Sequence, residues 1–191
     1  MKAFILKSYG KKEKLQLSEI AEPVVKDTDI LVKVYSAGVN VLDSKIKNGE
    51  FKMILSYKTP FTLGHDVSGV VIKAGSKVSK FKVGDEVYAR PADHRIGTFA
   101  ELIAIDENDV ALKPKNISME EAASIPLVGL TAWQALIEKA NLKKGQKVFI
   151  QAGSGGVGTF AIQLAKHVGA TVATTTSAAN TDLVRASVQI L

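Results

Sequence analysis

Gly153, Gly155 and Gly158 stand in the spacing G-x-G-x-x-G, directly after the apolar run Lys147 to Gln151 and directly before an apolar-periodic stretch. Glycine at those three places does three separate things. The first allows a tight turn, the second lets another molecule approach the backbone, and the third lets a helix pack closely on a strand. A strand that feeds such a turn and then a helix collects unpaired amides and the positive end of a helix dipole at one point, a setting for the paired phosphates of a dinucleotide. The candidate cofactor-binding residues are therefore Ala152, Gly153, Ser154, Gly155, Gly156, Val157 and Gly158. Cysteine is absent, so the chain itself offers no thiolate nucleophile, disulfide or thiolate metal ligand.

Residues beyond the turn refine the cofactor. Val157, Ala161, Leu164 and Val168 recur at helical spacing and predict the face that packs on a sheet, with Gly169 at the helix stop. The β-branched run Thr171 to Thr176 should then pair parallel to the first strand. Cofactors without a 2′-phosphate usually meet an Asp or Glu about twenty residues after the glycines. Here Thr175, Thr176 and Ser177 occupy that place, and hydroxyls suit NADPH; Thr176 and Ser177 join the candidate cofactor site. The first nearby cation, Arg185, comes several residues late.

The elements that must carry these residues fall into two parts. Met1–Lys7, Leu15–Ile20, Ile30–Ser36, Val67–Lys73, Asp85–Arg90, Thr98–Ile105 and Val110–Leu112 read as short strands punctuated by Gly64, Gly75 and Gly84, which predicts a compact barrel-like domain. In Ile30–Ser36 the alternation of Leu31, Lys33 and Tyr35 with Val32, Val34 and Ser36 is the period of a sheet with unlike faces. Ser118 and Glu121 form a capping-box sequence that opens a helical region, interrupted near Pro126 and running to about Ala140. The expected fold class is α/β with an all-β part: residues 1–120 as the first domain and 121–191 as the nucleotide-binding one.

No apolar run approaches the roughly 18 residues of a membrane span, and the amino terminus reaches Ser8 and Tyr9 before a signal-peptide core develops, so a cytoplasmic protein is expected. The formal charge is +6, but the lysines lie as singles and pairs such as Lys11 with Lys12 and Lys143 with Lys144. That spread reads as a solvated basic surface with no nucleic-acid partner.

Several further segments point to a family: Ala37-Gly38-Val39-Asn40 with Asp43, Gly64-His65-Asp66-Val67-Ser68-Gly69, Val83-Gly84-Asp85-Glu86-Val87, Gly97-Thr98-Phe99-Ala100-Glu101 and Leu130-Thr131-Ala132-Trp133. With the glycine turn, their order and spacing resemble the zinc-independent quinone oxidoreductases of the medium-chain dehydrogenase/reductase superfamily. The resemblance implies a chaperonin-10-like β-barrel followed by a Rossmann domain, with NADPH as hydride source and a small quinone or α,β-unsaturated carbonyl as acceptor. It assigns Asn40 and Asp43 to the neighbourhood of nicotinamide and substrate, as candidate catalytic residues, and Thr131 to the cofactor side. Asn40 and Asp43 equally suit a capped start of the helix Val41 to Lys47, and the two readings are compatible. Zinc-dependent members have a Cys where Asn40 stands; only His65 of their ligand set remains, so no metal site is expected and His65 reads as a hydrogen-bonded cleft or core residue. His94 and His167 read as structural or exposed, and Tyr57 and Trp133 as core aromatics or, alternatively, as ligand contacts.

Relatives of this kind continue through further strands, so the Rossmann domain is expected to be incomplete, with an open sheet edge that self-association as a homodimer would cover. Two functional readings stay open: an NADPH-dependent, zinc-independent reductase, or a truncated, non-catalytic remnant or nucleotide-binding module of that family.

Overall fold

The computed structural model of the chain describes residues 1–189. They divide into two compact units, one through Pro126 and one from Leu127 on. In the first, β1 (Lys2–Leu6), β2 (Gln16–Glu19) and the two-residue β4 (Phe61–Thr62) form an antiparallel sheet in the order β2-β1-β4. β3 (Asp29–Gly38), β5 (Asp66–Ala74), β6 (Glu86–Ala89), β7 (Leu102–Asp106) and β8 (Val110–Leu112) form a second, in the order β7-β3-β5-β6-β8. An antiparallel bridge joins Ala3 to Ala100.

The apolar pattern of these strands builds one core from Ile30, Val32, Val67, Val71, Val87 and Ile105, none more than 1% exposed. The predicted two-faced strand begins fully buried, Leu31 included, and alternates from Lys33 onward. Gly69 permits the β3–β5 pairing at that point, because a Cβ there would lie 2.2 Å from the Lys33 carbonyl oxygen. The carboxylate of Asp29, fully buried, receives both terminal nitrogens of Arg95 at 2.8 and 2.6 Å and the Lys26 amide at 3.0 Å. The guanidinium holds that carboxyl below its ordinary pKa against the opposing effect of burial.

α1 (Val41–Asn48) follows β3 and stops at Gly49, whose φ of 84° needs glycine. α2 (Met119–Ala123) starts on the predicted box: the Ser118 amide donates to Glu121 Oε2 at 2.7 Å and the Glu121 amide to Ser118 Oγ at 3.1 Å. It packs on β3 and β5, where Ser68 Oγ donates to the Met119 carbonyl at 2.6 Å and a Cβ on Gly38 would lie 2.4 Å from the Ala123 carbonyl oxygen. That contact carries α2 into the strand-rich unit.

α3 (Pro126–Trp133), from its second residue on, and a π-helical stretch, Gln134–Lys139, open the second unit. β9 (Lys147–Ile150), α4 (Gly156–Val168) and β10 (Thr171–Thr174) then form a β-α-β unit whose strands pair parallel, with Val172 opposite Val148. α5 (Thr181–Gln189) follows. Ala132, Leu136, Ile150, Ala161, Ile162, Ala165 and Val184 share this unit's core.

Four local expectations are corrected. β7 begins at Leu102, not Thr98, since Phe99 and Ala100 turn back to bond β1. β10 ends at Thr174, freeing Thr175 and Thr176 to bond the glycine turn. Of the predicted α4 face Ala161, Leu164 and Val168 pack on the core, joined by Gly158, Ile162 and Ala165, whereas Val157 is 38% exposed. Trp133, expected in a core, is 47% exposed because Ala132 and Leu136 face inward instead. Among the described residues no helix is long and apolar enough to cross a membrane.

Candidate functional site

The sequence-predicted residues gather in two clusters. In the second unit, β9 delivers the chain into a turn that is bent at Ala152, a non-glycine residue with φ of 57°. Hydrogen bonds hold it there. The Ala152 amide donates to Thr175 Oγ1 at 3.1 Å, the Gly153 amide to the Thr175 carbonyl at 2.8 Å, and the Gly155 amide to the Ala152 carbonyl at 3.0 Å.

The three motif glycines differ in what surrounds them. A Cβ on Gly153 would lie 2.3 Å from Thr174 Oγ1 and 2.8 Å from Ile162; on Gly158 it would lie 2.3 Å from the Ala152 carbonyl oxygen and 2.8 Å from Gly153 Cα. Both are glycine because the protein itself is in the way. At Gly155 a Cβ would meet only the Ala152 carbonyl oxygen, at 3.3 Å, so that position is open to an outside group. Gly155 caps α4, and the amides of Gly156, Val157 and Gly158 lie in its first turn, where no intrahelical acceptor exists; the Thr159 amide is the first to bond back, to Gly155. Ser154 Oγ accepts from Thr176 Oγ1 at 3.0 Å and from Asn180 Nδ2 at 3.4 Å, which ties the turn to the end of β10. Ser177 precedes a short 3-10 turn there. This set fits the paired phosphates and ribose of a nicotinamide dinucleotide: an open glycine, three amides pointing one way from a helix start, and hydroxyls instead of a carboxylate at the strand end. Thr131 lies on α3 of the same unit, exposed, with its hydroxyl donated to the Leu127 carbonyl at 2.6 Å.

In the first unit Asn40 and Asp43 stand at the start of α1, and each reaches one of the consecutive residues His65 and Asp66. Asn40 Nδ2 donates to Asp66 Oδ2 at 2.9 Å, and Asp43 Oδ1 lies 2.7 Å from His65 Nδ1. Asp43 Oδ2 also accepts the Asn40 amide at 2.8 Å, so the two residues form the expected capping box at the start of α1, and Asn40 Nδ2 is left for Asp66. Asp43, His65 and Asp66 are all at most 2% exposed. Among the described residues His65 Nε2 is buried without a hydrogen-bond partner, a condition shared by Tyr57 Oη and Thr98 Oγ1. Burial above all, with Asp93 adding, pushes the Tyr57 hydroxyl up to about 12, so it is a neutral donor at physiological pH. Asp66 is the member of this cluster that sequence reading did not single out; its position next to His65 in the Gly64-His65-Asp66 segment was the available signal. His94 and His167 are exposed.

Residues 26–115 match the alcohol dehydrogenase GroES-like domain. A quinone oxidoreductase of Coxiella burnetii superposes with a TM-score of 0.86 at 37% identity, covering 98% of this chain and 60% of that one. The chain carries the alcohol dehydrogenase GroES-like domain and is similar to the quinone oxidoreductases of the medium-chain dehydrogenase/reductase superfamily. Among curated relatives, the 2-methylene-furan-3-one reductase of Solanum lycopersicum is 43% identical over 97% of this chain and 50% of its own length. The chloroplastic NADPH-dependent alkenal/one oxidoreductase of Arabidopsis thaliana is 42% identical with the same coverage. The chain thus spans about half the length of the curated relatives it matches. The first cluster lies in the GroES-like unit and the second in the β-α-β unit.

Proposed function

We propose that the chain serves the NADPH-dependent, zinc-independent reduction of a quinone or an α,β-unsaturated carbonyl. The observation that carries this is the turn between β9 and α4, where Gly155 alone of the motif glycines faces open space beside three amides without intrahelical acceptors. The amides of Gly156, Val157 and Gly158 receive the phosphate oxygens, and the hydroxyls of Thr176 and Ser177 receive the adenosine ribose with its 2′-phosphate. When bound, the nicotinamide supplies a hydride. Asn40, anchored through Asp66, orients the acceptor; Asp43 and His65 keep the start of α1 rigid beneath it. Reduction in this direction does not require a group that strips a hydroxyl proton, and the proton it consumes can come from water. A catalytic zinc normally takes about three protein ligands, whereas the family's ligand positions offer His65 alone. The names of the tomato and Arabidopsis relatives support both the cofactor and the acceptor class.

The test is titration of the full chain with NADPH and NADH, followed by nucleotide fluorescence, and then quinone-dependent oxidation of the bound cofactor. Saturable binding with preference for NADPH, abolished by Gly155→Val, is expected, together with oxidation on adding quinone. Absence of saturable binding, or indifference to Gly155→Val, would overturn the proposal. Binding without oxidation would replace it by a nucleotide-binding role.

A further inference from the structure

The lysines that look scattered along the sequence are gathered by the fold. Residues 7–14 and 45–58 hold eight lysines against two glutamates, an excess equal to the +6 formal charge of the whole chain. These two stretches are one surface. The Gly10 amide donates to the Lys47 carbonyl at 2.9 Å, and Lys47 Nζ donates to the carbonyls of Gly10, Lys11 and Glu13, each at 3.1 Å. Tyr9 Oη donates to the Tyr57 carbonyl at 2.7 Å and accepts the Tyr57 amide at 2.8 Å. Seven of the eight lysines are exposed; Lys47 is the one spent on the clamp. At the tip of the loop inside this basic collar, Met53 is 100% and Ile54 79% exposed.

We infer that this face docks on an anionic lipid surface, Met53 and Ile54 entering the headgroup region while the collar meets lipid phosphates and carboxylates. A basic collar round an apolar projection is the pattern of interfacial binding, and each lysine near a charged bilayer contributes about a fivefold gain in affinity. A nucleic acid is the poorer match, because single strands are held by open aromatic faces. The rings here are occupied: Tyr57 stacks on Phe61 with centroids 5.0 Å apart, Lys52 Nζ lies 5.3 Å over Tyr9, and Lys45 Nζ lies 5.9 Å over Phe51. What projects is aliphatic.

The experiment is flotation of the full chain with phosphatidylcholine vesicles, with and without phosphatidylserine, at low and high salt. Binding that requires phosphatidylserine and falls with salt is expected. Lys11→Gln/Lys12→Gln/Lys52→Gln should weaken it on the order of a hundredfold, and Met53→Ser/Ile54→Ser should weaken it at every salt concentration. Lys115→Gln/Lys143→Gln, which removes exposed lysines elsewhere, should leave it intact. All variants lie on the surface, and circular dichroism verifies that each is folded. Failure of the wild-type chain to float with phosphatidylserine vesicles overturns the inference. So does binding that survives Met53→Ser/Ile54→Ser and is competed away by single-stranded DNA, which would mark a general polyanion site.

Discussion

The two units solve the same problem, placing polar groups at the end of a strand, with very different amounts of support. In the GroES-like unit β3 and β5 each have paired neighbours on both sides, and the polar cluster at their ends is sealed, with Asp43, His65 and Asp66 at most 2% exposed. In the Rossmann-type unit β9 and β10 pair only with each other among the described residues, and Phe149 on β9 is 66% exposed. The first cluster is rigid because it is surrounded. The second is rigid because the turn bonds to itself and to Thr175 and Thr176. Stability should therefore be unequal: amides of β3 and β5 should exchange slowest, and those of β10 and α5 sooner.

That comparison can be broken most forcefully at Asp29. Arg95→Ala leaves a fully buried carboxylate without its partner and should cost the strand-rich unit about 3 kcal/mol, read by denaturant unfolding, while nucleotide affinity stays within about twofold if each unit stands on its own core. The same pair sets an acid limit. Because the Asp29 pKa is lowered in the folded state, its contribution is complete above the ordinary carboxylate value of about 3.9. It is lost as pH falls through the depressed folded value. Asp29→Asn should flatten the acid limb of the stability profile.

Gly158→Ala comes next. The new methyl would press on the Ala152 carbonyl and the Gly153 backbone, atoms that cannot swing away, at an expected cost of about 1–3 kcal/mol. Hydrogen exchange should show the loss confined to β9, α4 and β10, with β3 and β5 still protected; a uniform loss would mean the two units unfold as one. The smallest effect is expected from Thr176→Ala, which removes one partly exposed hydroxyl bond and should cost less than about 1 kcal/mol of stability. Its signature is in binding, a narrower preference for NADPH over NADH in parallel titrations.

Much of this organisation was legible in the sequence because it rests on local rules. The β-α-β unit follows from spacing and β-branching, and the start of α2 from Ser118 and Glu121. The polar cluster was legible only as residue identities: nothing near Asn40 shows that its side chain, besides capping the helix, would bond Asp66, a residue brought there by β3–β5 pairing. Trp133 misled because an aromatic in an apolar stretch has no marker for which side of a helix it will occupy. The basic face was missed for the same reason: one-dimensional spacing separates Lys11 from Lys52, and the Lys47 clamp that unites them is tertiary.

The backbone of Ala152 sits in the left-handed region at φ 57°, which costs a residue with a Cβ on the order of 1 kcal/mol. Selection for thermal endurance alone would install glycine there, and Ala152→Gly should raise the melting temperature of its unit. What alanine gives in exchange is a bend with fewer conformations to wander through; under the proposed function it is already shaped when an anion arrives, and association need not wait for the loop to find its form.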